Sequence, residues 1–236
     1  SMTYQSLGTA IHNALEDLYE PYVGKELTIG GLEKMLKNHK EILKIHFEKK
    51  LGKDSHKTGK NLLIFTASAY SIKRVIEADK KDIVGGSKIE LLGLEEYRKI
   101  TRKFAGIEHP ISFHGVIDRI DRKDGVLRIL DYKTGKTEPK ELRPKEITDC
   151  LCDAALSKSF QVMFYSMLWS EDNQSTLFKA GVISVKNMSA GVLYLTLGTD
   201  TKRTDLDTTD LDVFEKHLEQ MVIEIYNPDI PFKEAD

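Results

Sequence analysis

The stretch FHGVIDRIDRKDGVLRILDYKTGK, residues 113–136, decides how this chain folds. It divides into two strand-forming runs, ISFHGVIDRID and GVLRILDYKTG, around residues 122–125. Asp124-Gly125 is a two-residue hairpin signal, because both positions tolerate positive φ. Side chains two residues apart on a strand share a face. Asp131 and Lys133 therefore point the same way as Ile129, and Asp118 shares a face with Val116 and His114. Pairing across the turn brings Asp118 toward Asp131, so two carboxylates and one ammonium converge at one edge of a sheet. An ion pair with Lys133 balances only one of the acids, and an uncompensated buried charge is very costly. A divalent cation absorbs the surplus, and hard oxygen ligands suit magnesium or manganese.

The flanking sequence supplies the rest of an α/β arrangement. SLGTAIHNALEDLYEPY reads as a helix, with Leu7, Ile11, Leu15 and Leu18 on one face, Ser6 as N-cap and Pro21 as the stop. GGLEKMLKNHKEILKIHFEKKLG and LLIFTASAYSIKRVIEADKKDIV read as two further helices, the second ended by Gly85-Gly86. The period then changes, and SKIELLGLEEYRKITRKF reads as one strand or a hairpin. After residue 136 come an irregular stretch with a short helix, the helix KSFQVMFYSMLWSED, two strands in FKAGVISVKNMSAGVLYLTLG, and a closing helix stopped by Pro228. One mixed sheet flanked by helices accommodates this order.

Composition narrows the function classes. The chain has 236 residues, 40% of them hydrophobic, and a formal net charge of −2. A near-neutral total leaves any nucleic-acid footprint to be local. The basic clusters RKITRK, residues 98–103, and RIDRK, residues 119–123, read as solvated charge, and Asp121 as a solvent-facing residue beside the turn. Cys150 and Cys152 read as ordinary thiols of a cytoplasmic protein. We find no signal peptide and no apolar run long enough to span a bilayer, so no membrane partner is expected. Gly135-Lys136-Thr137 is not a phosphate loop, because Leu130 stands where that motif needs glycine. The polar ends, with an opening Ser-Met, suggest a domain taken from a longer protein.

GVIDRID…ILDYKTGK resembles the PD-(D/E)XK nuclease superfamily, with Asp118 as its first acid and Asp131-x-Lys133 as the D-x-K element. DYKTGK is most similar to the RecB-like branch of helicase–nuclease proteins. Gly8 and His12 match the branch's G-x-x-x-H element on an early helix, and Gln161 and Tyr165 match its Q-x-x-x-Y element on the helix after D-x-K. The resemblance spans residues 8–185 and has four elements in order. It implies a restriction-endonuclease-like α/β core over residues 86–200, completed by a first helix at 6–20. Residues 25–85 would form an N-terminal helical elaboration within one 1–236 unit.

It further implies that His12, Asp118, Asp131 and the backbone carbonyl of Tyr132 hold magnesium or manganese, with Lys133 as the catalytic lysine. Gln161 and Tyr165 would contact DNA backbone or support the lysine. Many relatives carry a cysteine cluster that binds an iron–sulfur centre; Cys150 and Cys152 lack its spacing, so no such cluster is expected. The implied activity is metal-dependent, exonuclease-type DNA hydrolysis in repair or recombination, beside a helicase domain or subunit. The alternatives are a catalytically silent DNA-binding scaffold of the same fold, or a nuclease of CRISPR adaptation or phage recombination. Of the neighbours, His114 reads as a support for Asp118, and Glu95 as a surface residue.

Overall fold

The computed structural model describes residues 4–172, 177–185, 191–199, 203–229 and 231. Three helices come first: α1 (Tyr4–Tyr19), α2 (Ile29–Leu51) and α3 (Gly59–Val84). On α1, Ile11, Ala14, Leu15 and Leu18 are buried, the stripe that a 3.6-residue period places on one face. The helix begins at Tyr4, so Ser6 lies within it and is not its cap. Pro21 sits in the 3-10 turn Glu20–Tyr22 that follows. Thr28 caps α2 by accepting a hydrogen bond from Gly31 N, and Gly52, at φ 92°, closes it.

The described residues form a seven-stranded mixed sheet. Its order is β1 (Lys25–Glu26), β2 (Ile89–Arg102), β3 (Ile111–Lys123), β4 (Val126–Lys133), β5 (Leu177–Ser184) and β6 (Val192–Tyr194), and β7 (Leu206–Asp207) also pairs with β5. Residues 89–102 make one strand, not a hairpin. Among the described residues only β4 and β5 run parallel, and the chain crosses between them through α4 (Asp149–Cys152) and α5 (Ser157–Ser170). The turn expected between β5 and β6 includes positions outside the described residues. At the β3–β4 turn Asp124 and Gly125 have φ of 52° and 84°, the two left-handed residues that a tight hairpin requires. The Asp124 carboxylate also accepts a hydrogen bond from Lys88 N at 2.8 Å, tying the turn to the start of β2.

Each face of the sheet carries its own core. Ile117, Ile120, Ile129 and Val182 pack with Met163 of α5 and Phe214 of α6 (Thr208–Tyr226). Leu91, Leu130 and Ile183 pack on the other face with Leu15, Leu18 and Ile72 of α1 and α3.

That second face also buries charge, which corrects the reading of residues 119–123 as solvated. Arg119 and Asp121 are both fully buried. Arg119 donates from Nε to Asp121 Oδ2 at 2.7 Å and from Nη1 to Asp79 Oδ2 at 2.8 Å. Arg128 donates to both Asp121 oxygens, at 2.6 and 2.8 Å. The Tyr19 hydroxyl donates to Asp79 Oδ2 at 2.6 Å. The physical reason is position in the sheet. β3 is flanked by β2 and β4, and α1 and α3 cover its face, so closeness to the turn in sequence confers no exposure. Burial pushes the Asp121 carboxyl up, but Arg119 and Arg128 outweigh it and hold the group below the usual range.

Removing one member of such a network strands the others without a counter-charge. We predict that Arg119→Met lowers the urea unfolding free energy by about 3 kcal/mol. A loss below about 1 kcal/mol, the scale of an exposed ion pair, would contradict this account.

Candidate active site

The β3–β4 ladder runs from Lys123↔Val126 to Arg119↔Leu130. One step further the strands would set Asp118 opposite Asp131. There the backbone pairing stops, and Tyr132 N donates to Asp118 Oδ2 at 2.6 Å. A carboxylate stands in for a backbone acceptor, so Asp118 is held by the strand it faces. Asp118 and Asp131 are 7% and 2% exposed.

β2 adds Glu95, expected from its sequence to lie on the surface. Leu94 pairs with Arg119 and Glu96 with Ile117, so Glu95 stands across from Asp118. Its φ is +46°, in the left-handed region that is uncommon for a residue with a Cβ. Strict alternation along the strand therefore fails at this residue. The Glu95 carboxylate comes within 3.7 Å of His12 Nδ1.

α1 brings His12 to the same place. A Cβ on Gly8 would lie 3.3 Å from Thr134 Oγ1, so glycine there lets the helix approach the end of β4 closely. His12 Nε2 lies 3.0 Å from the Tyr132 carbonyl oxygen. A carbonyl only accepts, so Nε2 carries the proton. Nδ1 is then the nitrogen that faces Asp118 Oδ2 at 3.6 Å and Glu95. One ligand atom each from His12, Glu95 and Asp118 all lie within 4.8 Å of one another. A histidine that donates one ring N–H to a carbonyl and turns the other nitrogen inward has the arrangement typical of a metal ligand.

Lys133 Nζ approaches Asp131 Oδ2 at 2.9 Å. This is ion-pair contact without hydrogen-bond alignment, and Asp131 Oδ2 is left buried with no aligned donor. The aligned bond of Lys133 goes to Gln161 Oε1 at 2.6 Å, and Gln161 Nε2 donates to the Tyr165 hydroxyl at 2.8 Å. Tyr165 in turn packs on Gly115, where a Cβ would meet its ring at 3.0 Å.

The site is short of positive charge. Burial, then the neighbouring Asp131, pushes Asp118 up to about 7, against the opposing pull of His12 and the Tyr132 N–H. Burial also raises Asp131, though Lys133 opposes it. Burial alone would lower His12, but the Glu95 carboxylate 3.7 Å away and the charges of Asp118 and Asp131 outweigh it and raise the imidazole above its ordinary value. Carboxylates, an imidazole and an unaligned buried oxygen make a donor set suited to a hard divalent cation.

The structure thus brings together all the residues expected here: His12, Asp118, Asp131, the Tyr132 carbonyl, Lys133, Gln161 and Tyr165. The carbonyl is engaged by His12. Glu95 joins them, and no periodic signal could have found it. His114 does not share this cluster; it is exposed, with its ring centroid 6.0 Å from that of Tyr97. Cys150 and Cys152 are free thiols. Among the described residues, no helix is long and apolar enough to cross a membrane. A family model described as the PD-(D/E)XK nuclease superfamily matches residues 2–236. No curated protein and no solved structure matches the chain.

The raised Asp118 carboxyl has a stability signature. It binds its proton more tightly folded, at about 7, than at the ordinary 3.8. Ionising it therefore opposes folding, and stability falls as pH rises from about 4 to about 7. We predict that Asp118→Asn raises the Tm of the metal-free protein at pH 8 and has little effect at pH 4. Thermal melts in chelator check this, and a lower Tm at pH 8 would contradict it.

Proposed function

The chain belongs to the PD-(D/E)XK nuclease superfamily, and on that premise we propose that it is a divalent-metal-dependent DNA nuclease. We assign it to the RecB-like branch and to exonuclease-type hydrolysis of phosphodiester bonds. The observation that carries the reading is the convergence of His12, Glu95 and Asp118 within 4.8 Å, beside an Asp131–Lys133 pair. A surplus of acid around one ammonium serves no structural purpose that an ion pair alone would not meet.

His12 through Nδ1, Glu95, Asp118 and Asp131 would hold magnesium or manganese, and the Tyr132 carbonyl has a second lone pair to offer. When bound, the ion supplies Lewis-acid polarisation of the phosphoryl group and a lower pKa for water. Lys133 stabilises the negative charge that develops on the phosphate oxygens. Gln161 aims Lys133 by accepting from it, and Tyr165 fixes Gln161 by accepting in turn. Asp118 is kept in register by the Tyr132 N–H. DNA is gripped through its phosphates with little base reading, so affinity falls with salt. The first helix and residues 86–200 act as one catalytic core with 25–85 as its elaboration, a reading supported by α1 delivering His12 to a site built on β2–β4. Such a domain would serve DNA repair or recombination beside a helicase domain or subunit.

Digestion of end-labelled linear and circular DNA in manganese, with and without chelator, tests the proposal. We expect loss of the linear substrate, survival of the circle, and no cleavage in chelator. Asp131→Asn and Lys133→Met should reduce cleavage to background, and Gln161→Ala should slow it roughly 10- to 100-fold, as for residues that orient an active group. Normal cleavage by Asp131→Asn would remove the mechanism.

A further inference from the structure

The basic cluster at residues 98–103 divides between the two faces of β2. Arg98 and Arg102 turn toward α5 and α6. The Arg98 guanidinium lies 4.6 Å from the Trp169 ring centroid and pairs with Asp172 at 3.3 Å. Arg102 pairs with Glu171 and Glu215. The opposite face carries Tyr97, Lys99 and Thr101, all exposed. β3 presents Val116, His114 and Ser112 on that same face, also exposed. The register sets Tyr97 against Val116, Lys99 against His114 and Thr101 against Ser112.

This face is bare at these six positions, whereas on the opposite face of the same strands Ile100, Phe113 and Ile117 pack into the core with α5. Tyr97 is 59% and Val116 39% exposed. The Tyr97 and His114 rings are tilted by only 36°. Among the described residues, Lys99 has no carboxylate within ion-pair distance. An isolated exposed aromatic needs no explanation. Here two rings, an apolar side chain and a cation lie together on the two strands that carry Glu95 and Asp118. His114 is four residues from Asp118 along β3, which at about 3.3 Å per residue is about 13 Å.

Resting on the nuclease reading, we propose that this face of β2 and β3 is a stacking platform for unpaired bases of the DNA strand being cut, with Lys99 on its phosphates. Flat rings beside a cation match single-stranded nucleic acid, whose bases expose π faces. A duplex offers mainly phosphates from outside, so rings on this face would contribute little to holding it. The platform would seat the strand's frayed nucleotides next to the acids.

The test measures binding without cutting, in an Asp131→Asn background, by fluorescence anisotropy with labelled single-stranded oligonucleotides. Tyr97→Ala should weaken binding about 5- to 100-fold, the equivalent of one or more lost base-stacking contacts. Tyr97→Phe should bind like the parent. An oligonucleotide of abasic sites should bind both proteins equally, which a merely structural role for Tyr97 would not produce. Equal affinity of Tyr97→Ala and the parent for the base-bearing strand would overturn the platform, as would equal losses on base-bearing and abasic strands. The two readings fail separately. Manganese-dependent cleavage with a Tyr97→Ala protein that binds normally removes the platform alone, whereas absence of any cleavage by the unmodified protein removes the nuclease reading beneath it.

Discussion

The bond on which the rest depends is the one from Tyr132 N to the Asp118 carboxylate. It forms where an ordinary antiparallel ladder would continue with a backbone carbonyl. Replacing that carbonyl with a side chain lets β3 and β4 part without leaving a buried N–H unpaired. The parted strands create the space in which the acids gather. The following peptide is held as well, because the Tyr132 carbonyl accepts from His12 Nε2. The backbone N–H and C=O of one residue, Tyr132, thus fix the position of an acid from β3 and the tautomer of a histidine from α1.

Tyr132 also links the site to the interior. Its hydroxyl lies 3.5 Å from Arg119 Nη1, inside the network that ties α3 to β3 through Asp79. Burial, opposed by Arg119, pushes the Tyr132 phenol up to about 12, so it stays neutral there. A buried ion network is weak evidence for stability in itself, and a well-packed apolar substitute often does as well. Its geometric role is more specific. It anchors the ring of the residue whose backbone holds Asp118 and His12. On the other face, the Lys133–Gln161–Tyr165 chain holds the ammonium from α5.

The sequence was legible where one rule governed. Alternation along residues 113–136, with a turn at Asp124-Gly125, gave the hairpin and the approach of Asp118 to Asp131. Four-residue spacing on α5 put Gln161 and Tyr165 on one helix face, and the glycine four residues before His12 proved to be a close-packing position against Thr134. Reading failed where tertiary context overrode local pattern. Glu95 escaped because a single left-handed residue breaks the alternation that predicts facing. Arg119 and Asp121 looked solvated because charge near a turn usually is, and only the covering helices bury them. Ser6 resembled a cap, yet the helix continues past it to Tyr4. The basic residues at 98–103 could not be divided by sequence, since their roles depend on which face of β2 meets α5.

We propose that these acids and the imidazole surround a divalent ion where β3 and β4 part. The most direct measurement is an anomalous difference map from crystals soaked in manganese. A peak is expected in coordinating contact with Asp118 and Asp131, and with His12 Nδ1 or Glu95. A map with no peak there, or with manganese bound only elsewhere, would contradict it.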